Sequence, residues 1–233
     1  MTAAAPRLQA THDPAAFVLA NTAVETTPLV PEIKLHLASE VVPLWQASEA
    51  ELAETGLPPP YWAFAWAGGQ ALARYLLDHP QTVRGRRVLD FAAGSGIQGI
   101  AAAMAGAATV TASEIDAFAI AAIHHNAALN AQHIDVLSDD VLGGTGDGWD
   151  VILAGDVCYE RPMAERVFAW LRDCVATGPL VLLGDPGRNY LPKTGLERIT
   201  AYAVKTSREL EDSDIRNAVV WRVTTPRDEA APS

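Results

Sequence analysis

From Arg86 onward, apolar runs of strand length alternate with segments of helix length. This alternation is typical of βαβ units around a parallel sheet. We predict strands over residues 87–91, 109–113, 133–137, 150–155 and 180–184, and helices over 97–105, 117–130 and 162–174. Two further apolar runs, 199–206 and 218–223, are separated by the charged stretch 208–216, which predicts a pair of strands that completes the sheet.

The chain before this alternation is apolar but irregular. Prolines at positions 28, 31, 43 and 58 to 60 divide it into short pieces, and one longer helix is predicted over 67–78. At 233 residues the chain is long enough for one substantial α/β domain. We therefore expect a single domain with flexible tails at 1–13 and 225–233, an N-terminal extension over 14–82 and a catalytic core over 83–224.

Composition restricts the classes of partner. The formal net charge of -11 repels polyanions and argues against nucleic acid as a ligand. No uncharged run approaches the roughly 20 residues of a membrane helix, and the start of the chain lacks the layout of a signal peptide. The two cysteines have neither zinc-site nor disulfide spacing. We expect a cytoplasmic protein with no metal site and no membrane partner.

A glycine-rich loop, Gly94-Ser95-Gly96-Ile97-Gln98-Gly99, follows the first predicted core strand and opens a helix. Glu114 comes at the end of the next strand, 20 residues after Gly94. Glycines allow the backbone to turn tightly and to approach a ligand, and an acidic residue in this position accepts hydrogen bonds from ribose hydroxyls. By pattern alone, the loop suits any adenosine ligand, including a dinucleotide.

Asp90, at the carboxyl end of the same strand, favours one of these ligands. A carboxylate roughly 5 Å from a pyrophosphate costs about 3 kcal/mol at an effective dielectric near 20. The same carboxylate favours S-adenosylmethionine, which carries an α-ammonium and a sulfonium. The alternative role for Asp90 is to bind loop amides or to cap the helix.

The run Val88-Leu-Asp-Phe-Ala-Ala-Gly-Ser-Gly-Ile97 resembles motif I of the seven-β-strand, or class I, methyltransferases. The resemblance implies an α/β, Rossmann-like, doubly wound sheet with strand order 3-2-1-4-5-7-6 and strand 7 antiparallel. It also implies S-adenosylmethionine as cofactor, with five residues of this region close to it: Asp90, Gly94, Ser95, Gly96 and Glu114.

Asp156-Val-Cys-Tyr159 follows the fourth core strand, so its side chains are expected above the methyl group of the donor. Transfer to an amine needs a neutral, oriented nitrogen, whereas a free lysine has a pKa near 10.4. Asp156 can orient the amine and Tyr159 can form a wall. The alternative is that Asp156 caps the helix near Pro162 and Tyr159 packs.

This motif resembles the D-x-x-Y signature of a class I branch that consists mostly of protein lysine methyltransferases. An acidic residue typically precedes the strand in that branch, as Asp150 does here. Nucleic-acid and glutamine methyltransferases carry Asn/Asp-Pro-Pro-Tyr after this strand instead. Pro59-Pro60-Tyr61 lies at the wrong place for that motif, and we interpret it as a turn.

Segments 31–38, 43–45, 59–73 and 184–192 resemble the electron transfer flavoprotein β-subunit lysine methyltransferases and their bacterial relatives, over about residues 17 to 224. The resemblance implies a lysine-bearing protein substrate, that β subunit or another protein. It also implies that Trp66 lines the donor pocket and that Gly155 and an acid after strand three lie near the adenosine. Either Asp139 or Asp140 fits that acid, and Asp140 is preferred.

The loop after the fifth core strand also borders the crevice of an open sheet, so Arg188 and Tyr190 are expected to contact substrate. Trp62 and Phe64 alternate along the chain as in a half-buried strand or a core cluster. His124 and His125 fall on a helix that backs the sheet, where a non-catalytic role is expected.

Two other functions are compatible with these motifs. Relatives of this kind include nicotinamide-like, small-molecule N-methyltransferases, whose acceptor nitrogen carries no proton and is served better by an aromatic clamp than by Asp156. The second is a cofactor-binding interaction module without catalysis. The complete D-x-x-Y motif, together with Asp90 and Glu114, argues against that module.

Overall fold

The computed structural model describes residues 13–38, 59–206 and 214–225. The described residues leave out most of both expected tails, the segment 43–45 that carries part of the family resemblance, and residues 207–213 of the charged turn. The N-terminal part contains helix α1 (Pro14–Asn21), strands β1 (Ala23–Thr26) and β2 (Lys34–Leu37), a 3-10 turn (Tyr61–Ala63) and helix α2 (Ala67–Asp78). A second 3-10 turn, Pro80–Thr82, leads into the core.

Strands β1 and β2 form a small antiparallel sheet in which Ala23 pairs with Leu37. The sequence pattern predicted only irregular pieces here. Two side chains bind the outer backbone of β2. The Oδ1 of Asn126, in the helix 117–129, accepts from the His36 amide at 2.7 Å, and the Oδ1 of Asn130, directly after that helix, accepts from the Lys34 amide at 2.9 Å. Side-chain amides thus take the place of a third strand.

The core elements follow the predicted alternation. They are β3 (Arg87–Phe91), α3 (Ile97–Met104), β4 (Thr109–Ser113), α4 (Ala117–Leu129), β5 (Asp135–Leu137), β6 (Val151–Gly155), α5 (Arg161–Thr177), β7 (Leu180–Asp185), β8 (Leu196–Lys205) and β9 (Ile215–Val223). The largest differences from the sequence prediction are a shorter β5, a longer α5 and final strands that begin three residues earlier.

The seven strands form one sheet of order β5-β4-β3-β6-β7-β9-β8. The first five strands in this order are parallel, whereas β9 is antiparallel to both β7 and β8. Numbered from the first core strand, this is the expected order 3-2-1-4-5-7-6 with strand 7 antiparallel. The predicted fold class is therefore confirmed.

Both faces of the sheet are covered, which explains why its strands are continuous apolar runs. Val88 of β3 belongs to the core beneath α2, α3 and α4, whereas its neighbour Leu89 packs on the opposite face with Leu171 of α5. Successive residues of a strand point to opposite faces. Asp90 consequently lies on the same face as Val88, beneath α3.

Helix α2 approaches the sheet through two glycines. A Cβ on Gly68 would collide with the carbonyl oxygen of Gly184, and a Cβ on Gly184 would collide with that of Gly68. The first turn of α2 therefore rests directly on the end of β7. No helix within the described ranges is long and apolar enough to cross a membrane.

Candidate active site

A cavity of about 540 Å³ opens where β3, β4 and β6 end, and residues of the N-terminal extension close its other side. The volume lies within the roughly 300–1,000 Å³ that is common for small-molecule sites. Its charged lining residues are Glu114, Asp116, Asp140, Asp156 and Arg188, and its aromatic lining residues are Tyr61, Trp62, Trp66, Phe91 and Tyr159.

One end of the cavity is formed by the glycine loop and by Glu114. The Glu114 carboxylate accepts hydrogen bonds from the Gly94 amide at 3.0 Å and from the Ile115 amide at 2.8 Å. Gly94 and Gly96 have φ values of 55° and 76°, a backbone conformation that favours glycine. Glu114 is thus fixed beside the loop.

Asp90 lies behind this loop and is not among the residues that line the cavity. Its side chain is fully buried and accepts hydrogen bonds from the Gly99 amide at 2.8 Å and from Gln98 Nε2 at 3.0 Å. Burial raises the pKa of Asp90 well above its usual range, and Glu114 adds to this. The observed contacts match the alternative role, in which Asp90 holds the loop rather than facing the donor's charge.

The negative charge of the cavity comes from other residues. Among the described residues, Glu114, Asp116, Asp140 and Asp156 line it, against one lining cation, Arg188. Four carboxylates and one guanidinium suit a cationic ligand, because opposite charges attract more strongly where water is excluded. These lining groups, and not Asp90, give the cavity its negative charge. Asp140 lines the cavity, whereas Asp139 does not.

Asp156 follows β6 with a left-handed backbone (φ 57°). Its Oδ2 accepts a hydrogen bond from the Gly69 amide of α2 at 2.9 Å, and its Oδ1 pairs with Arg188 NH2 at 2.8 Å. Burial raises the pKa of Asp156 to about 6, although Arg188 lowers it. The carboxylate therefore binds the first turn of α2 and not the helix near Pro162.

Arg188 is held between Asp156 and the face of Trp66, with Cζ 5.5 Å from the indole centroid. Its backbone amide and that of Gly187 donate to Asp185 Oδ1, each at 2.7 Å. The loop after β7 is thereby fixed, and the guanidinium lines the cavity as the sequence predicted. Tyr190 does not line it; its ring lies 5.5 Å from the Arg161 guanidinium carbon.

The mouth of the cavity is aromatic. Tyr159 is 49% exposed, and its ring centroid lies 5.5 Å from that of Tyr61, which is 6.2 Å from Trp66. Trp66 Nε1 donates to the Tyr61 carbonyl at 2.8 Å, which fixes both residues. Burial raises the pKa of Tyr159, so its phenol is protonated at neutral pH and does not act as a base. The sequence interpretation missed Tyr61.

The remaining expected residues shape the site from behind or lie outside it. Ser95 and Gly96 do not line the cavity, whereas Gly155 does. A Cβ on Gly155 would stand 2.8 Å from Gln98 Oε1 and 3.0 Å from the Gly69 Cα, so a larger residue there would have to displace both. Asp150 pairs with Arg87 at 3.0 Å, at the opposite end of the strands. Its position before β6 therefore serves the sheet and not the cavity.

The sequence predicts no catalytic role for Trp62, Phe64 or the two cysteines. Trp62 is 2% exposed and lies in a core cluster against which Phe64 packs, so the core interpretation holds, although the backbone at Tyr61–Ala63 is a 3-10 turn. Cys158 and Cys174 are buried and unpaired, and burial raises the pKa of these thiols to about 12 and about 11. The described residues contain no group of three or more acidic, His or Cys side chains arranged for a metal.

Comparisons with known proteins agree with this architecture. Residues 71–156 match the model of the ribosomal protein L11 methyltransferase family, PrmA. A putative methyltransferase solved in complex with S-adenosylhomocysteine aligns with a TM-score of 0.50 at 13% identity, covering 68% of this chain and 50% of the other, and supports the fold.

Similarity to curated relatives is much higher. The electron transfer flavoprotein beta subunit lysine methyltransferase of Danio rerio is 38% identical over 213 residues, which is 88% of this chain and 81% of the relative. The Homo sapiens protein of the same name is 38% identical over 220 residues, or 88% and 80% of the two chains. The chain therefore belongs to the electron transfer flavoprotein β subunit lysine methyltransferase family and is a methyltransferase.

Proposed function

We propose that this enzyme transfers the methyl group of S-adenosylmethionine to a lysine ε-amine of the electron transfer flavoprotein β subunit. The observation that carries the proposal is the pairing of Asp156 with Arg188 in the cavity wall, which is also lined by Tyr61, Trp66 and Tyr159. We infer the substrate from the names of the relatives, and the cavity has room for an extended alkyl amine.

The donor fits the other end of the cavity. Glu114 and the Gly94 loop would hold the ribose, and Asp140 would lie near the adenosine. When bound, S-adenosylmethionine supplies an electrophilic methyl group on a sulfonium. The acidic lining favours that positive charge, and the aromatic mouth excludes water from it.

The acceptor must arrive as a neutral amine. Its ammonium first loses a proton to solvent, the nitrogen lone pair then forms the N–CH₃ bond, and the electrons of the broken S–CH₃ bond remain on sulfur. In-line attack needs the nitrogen aimed at the methyl carbon. We assign this aiming to Asp156 and the surrounding wall to Tyr159 and Tyr61.

The test is incubation of the purified enzyme with recombinant electron transfer flavoprotein β subunit and methyl-labelled donor, followed by peptide mass spectrometry. The expected result is label on lysine, lost in D156A. A parallel reaction with nicotinamide tests the small-molecule alternative, since the aromatic mouth also suits a planar ring. Label on nicotinamide with an unlabelled β subunit would refute the proposal.

Isothermal titration with S-adenosylhomocysteine tests the donor separately. Binding is expected to weaken at least tenfold in E114A, because the ribose loses its acceptor. The matched control is E197A, a substitution at an exposed site on β8, outside the cavity. Equal affinity of E114A and the unmodified enzyme would remove Glu114 from the donor site.

A further inference from the structure

The side chain of Arg188 is held by contacts on several sides. Its NH2 lies 2.8 Å from Asp156 Oδ1, its Cζ lies 5.5 Å from the Trp66 centroid, and Asp185 fixes its backbone amide. The side chain is 19% exposed, and that of Asp156 is 9% exposed. An arginine held this way contributes a permanent positive charge to the cavity wall.

A buried carboxylate and the face of an indole are the two protein groups that bind an alkylammonium best. In this cavity the protein's own guanidinium occupies both. An incoming lysine ammonium therefore finds no free ion-pair partner at Asp156, and it also meets the charge of Arg188. A neutral amine needs no ion-pair partner, so the pairing of Arg188 with Asp156 does not weaken its binding. Its lone pair also stays available for the transfer.

We propose that Arg188 occupies the cation position of the acceptor site and thereby selects the neutral form of the substrate amine. This inference rests on the proposed transfer to lysine and assigns to Arg188 a role in specificity. Without the guanidinium, Asp156 and Trp66 would form a site for the ammonium, which cannot attack the methyl group.

The other ionisable groups near this position do not replace Arg188. Asp185 accepts a hydrogen bond from the Arg188 amide, Cys158 is a buried thiol, and burial raises the pKa of Tyr159, whose phenol is neutral. The three further carboxylates of the cavity, Glu114, Asp116 and Asp140, line it along with Asp156. All of these groups are neutral or negative, so in the part of the chain that the structure describes, loss of Arg188 leaves the cavity lining without a cation and raises the pKa of a bound amine.

The experiment compares R188M with the unmodified enzyme. The control R222M changes an exposed arginine on β9, whose pairing with Glu197 at 3.9 Å lies away from the cavity. Each protein is saturated with S-adenosylhomocysteine and titrated calorimetrically with Nε-trimethyllysine amide, a cation that cannot be deprotonated. R188M is expected to bind this probe at least tenfold more tightly than the other two proteins.

The second readout is the pH profile of kcat, which reports ionisations in the enzyme–substrate complex. In R188M the amine pKa seen in this profile is expected to rise by about one unit or more, the effect of removing a nearby charge. R188K, which keeps the charge, is expected to retain the original profile. If R188M does not fold, R188Q takes its place as the neutral variant.

An unchanged affinity for trimethyllysine amide or a kcat profile that coincides with the original overturns the inference. Failure of the proposed function is recognised separately, by the absence of methyl transfer from the unmodified enzyme to the β subunit. The calorimetric comparison needs no turnover and is decisive even then.

Discussion

The Asn126 side chain donates a hydrogen bond to the carbonyl oxygen of Ser95 at 2.9 Å. Asn126 is fully buried, and its Oδ1 accepts from the His36 amide at 2.7 Å. One side chain therefore joins the glycine loop, helix α4 and the N-terminal hairpin. The Ala38 amide, directly after β2, donates to the Ala63 carbonyl oxygen at 2.8 Å, so Asn126 is linked through β2 to the part of the extension that closes the cavity.

The substitution N126A is expected to weaken binding of S-adenosylhomocysteine about tenfold, because the loop carbonyl loses its donor and the loop its fixed position. The measurement is isothermal titration. N130A is the matched control, since Asn130 makes the neighbouring bonds to Lys34 but none to the loop. Equal losses of donor affinity in both variants would show that Asn126 only supports the hairpin.

The pH dependence of kcat/KM is expected to show the ionisation of Asp156. Its pKa is raised to about 6 by burial, so the carboxylate is protonated below that pH and its pairing with Arg188 is weakened. Deprotonation of free lysine, with a pKa near 10.4, gives log kcat/KM a slope of one at neutral pH. Below about pH 6 the slope is expected to approach two.

The control for this profile is D156N, which cannot ionise. Its residual activity is expected to keep a slope of one through pH 6. A profile of the unmodified enzyme with slope one down to pH 5 would mean that the charge of Asp156 is not required. Substrate and donor are held at concentrations far below and far above KM, respectively, so that free-enzyme ionisations are observed.

The sheet was predictable from sequence because its strands are buried on both faces and are therefore unbroken apolar runs, as in Val151–Gly155. Asp90 was placed correctly at the end of its strand, but its contacts were not predictable. Whether a carboxylate at that position faces the ligand or the Gly99 amide depends on how closely α3 packs, and this packing is a tertiary property.

Tyr61 was missed for a related reason. Its position after two prolines indicated a turn, which is locally correct, since the backbone there is a 3-10 turn. Its contact with Tyr159 joins residues almost one hundred positions apart and depends on how the extension lies over the sheet. The β1–β2 hairpin escaped prediction because its four-residue strands are short and Asn126 and Asn130 complete their hydrogen bonding.

Substitutions of Tyr159 can separate the effect of its aromatic ring, as part of the cavity wall, from the effect of its hydroxyl group. Its ring packs beside Tyr61 at the cavity mouth, and its phenol remains protonated at neutral pH. Y159F is expected to retain kcat within about threefold because the wall is kept, whereas Y159A is expected to lose at least tenfold through access of water and loss of orientation. If steady-state kinetics show equal losses in Y159F and Y159A, the hydroxyl and not the ring carries the effect.

The contact between Gly68 and Gly184 sets the distance of α2 from the sheet. It thereby also positions the Gly69 amide, which donates a hydrogen bond to Asp156. In G184A the new methyl group meets the Gly68 carbonyl, so α2 must move. Overpacking of this kind costs about 1–3 kcal/mol in the free energy of unfolding. G148A is the control, since a Cβ there meets nothing within 4 Å. Urea denaturation is expected to show a lower free energy of unfolding for G184A but not for G148A. The rate of methyl transfer by G184A is expected to fall by more than the loss of folded protein explains. An unaltered unfolding midpoint of G184A would show that α2 adjusts freely.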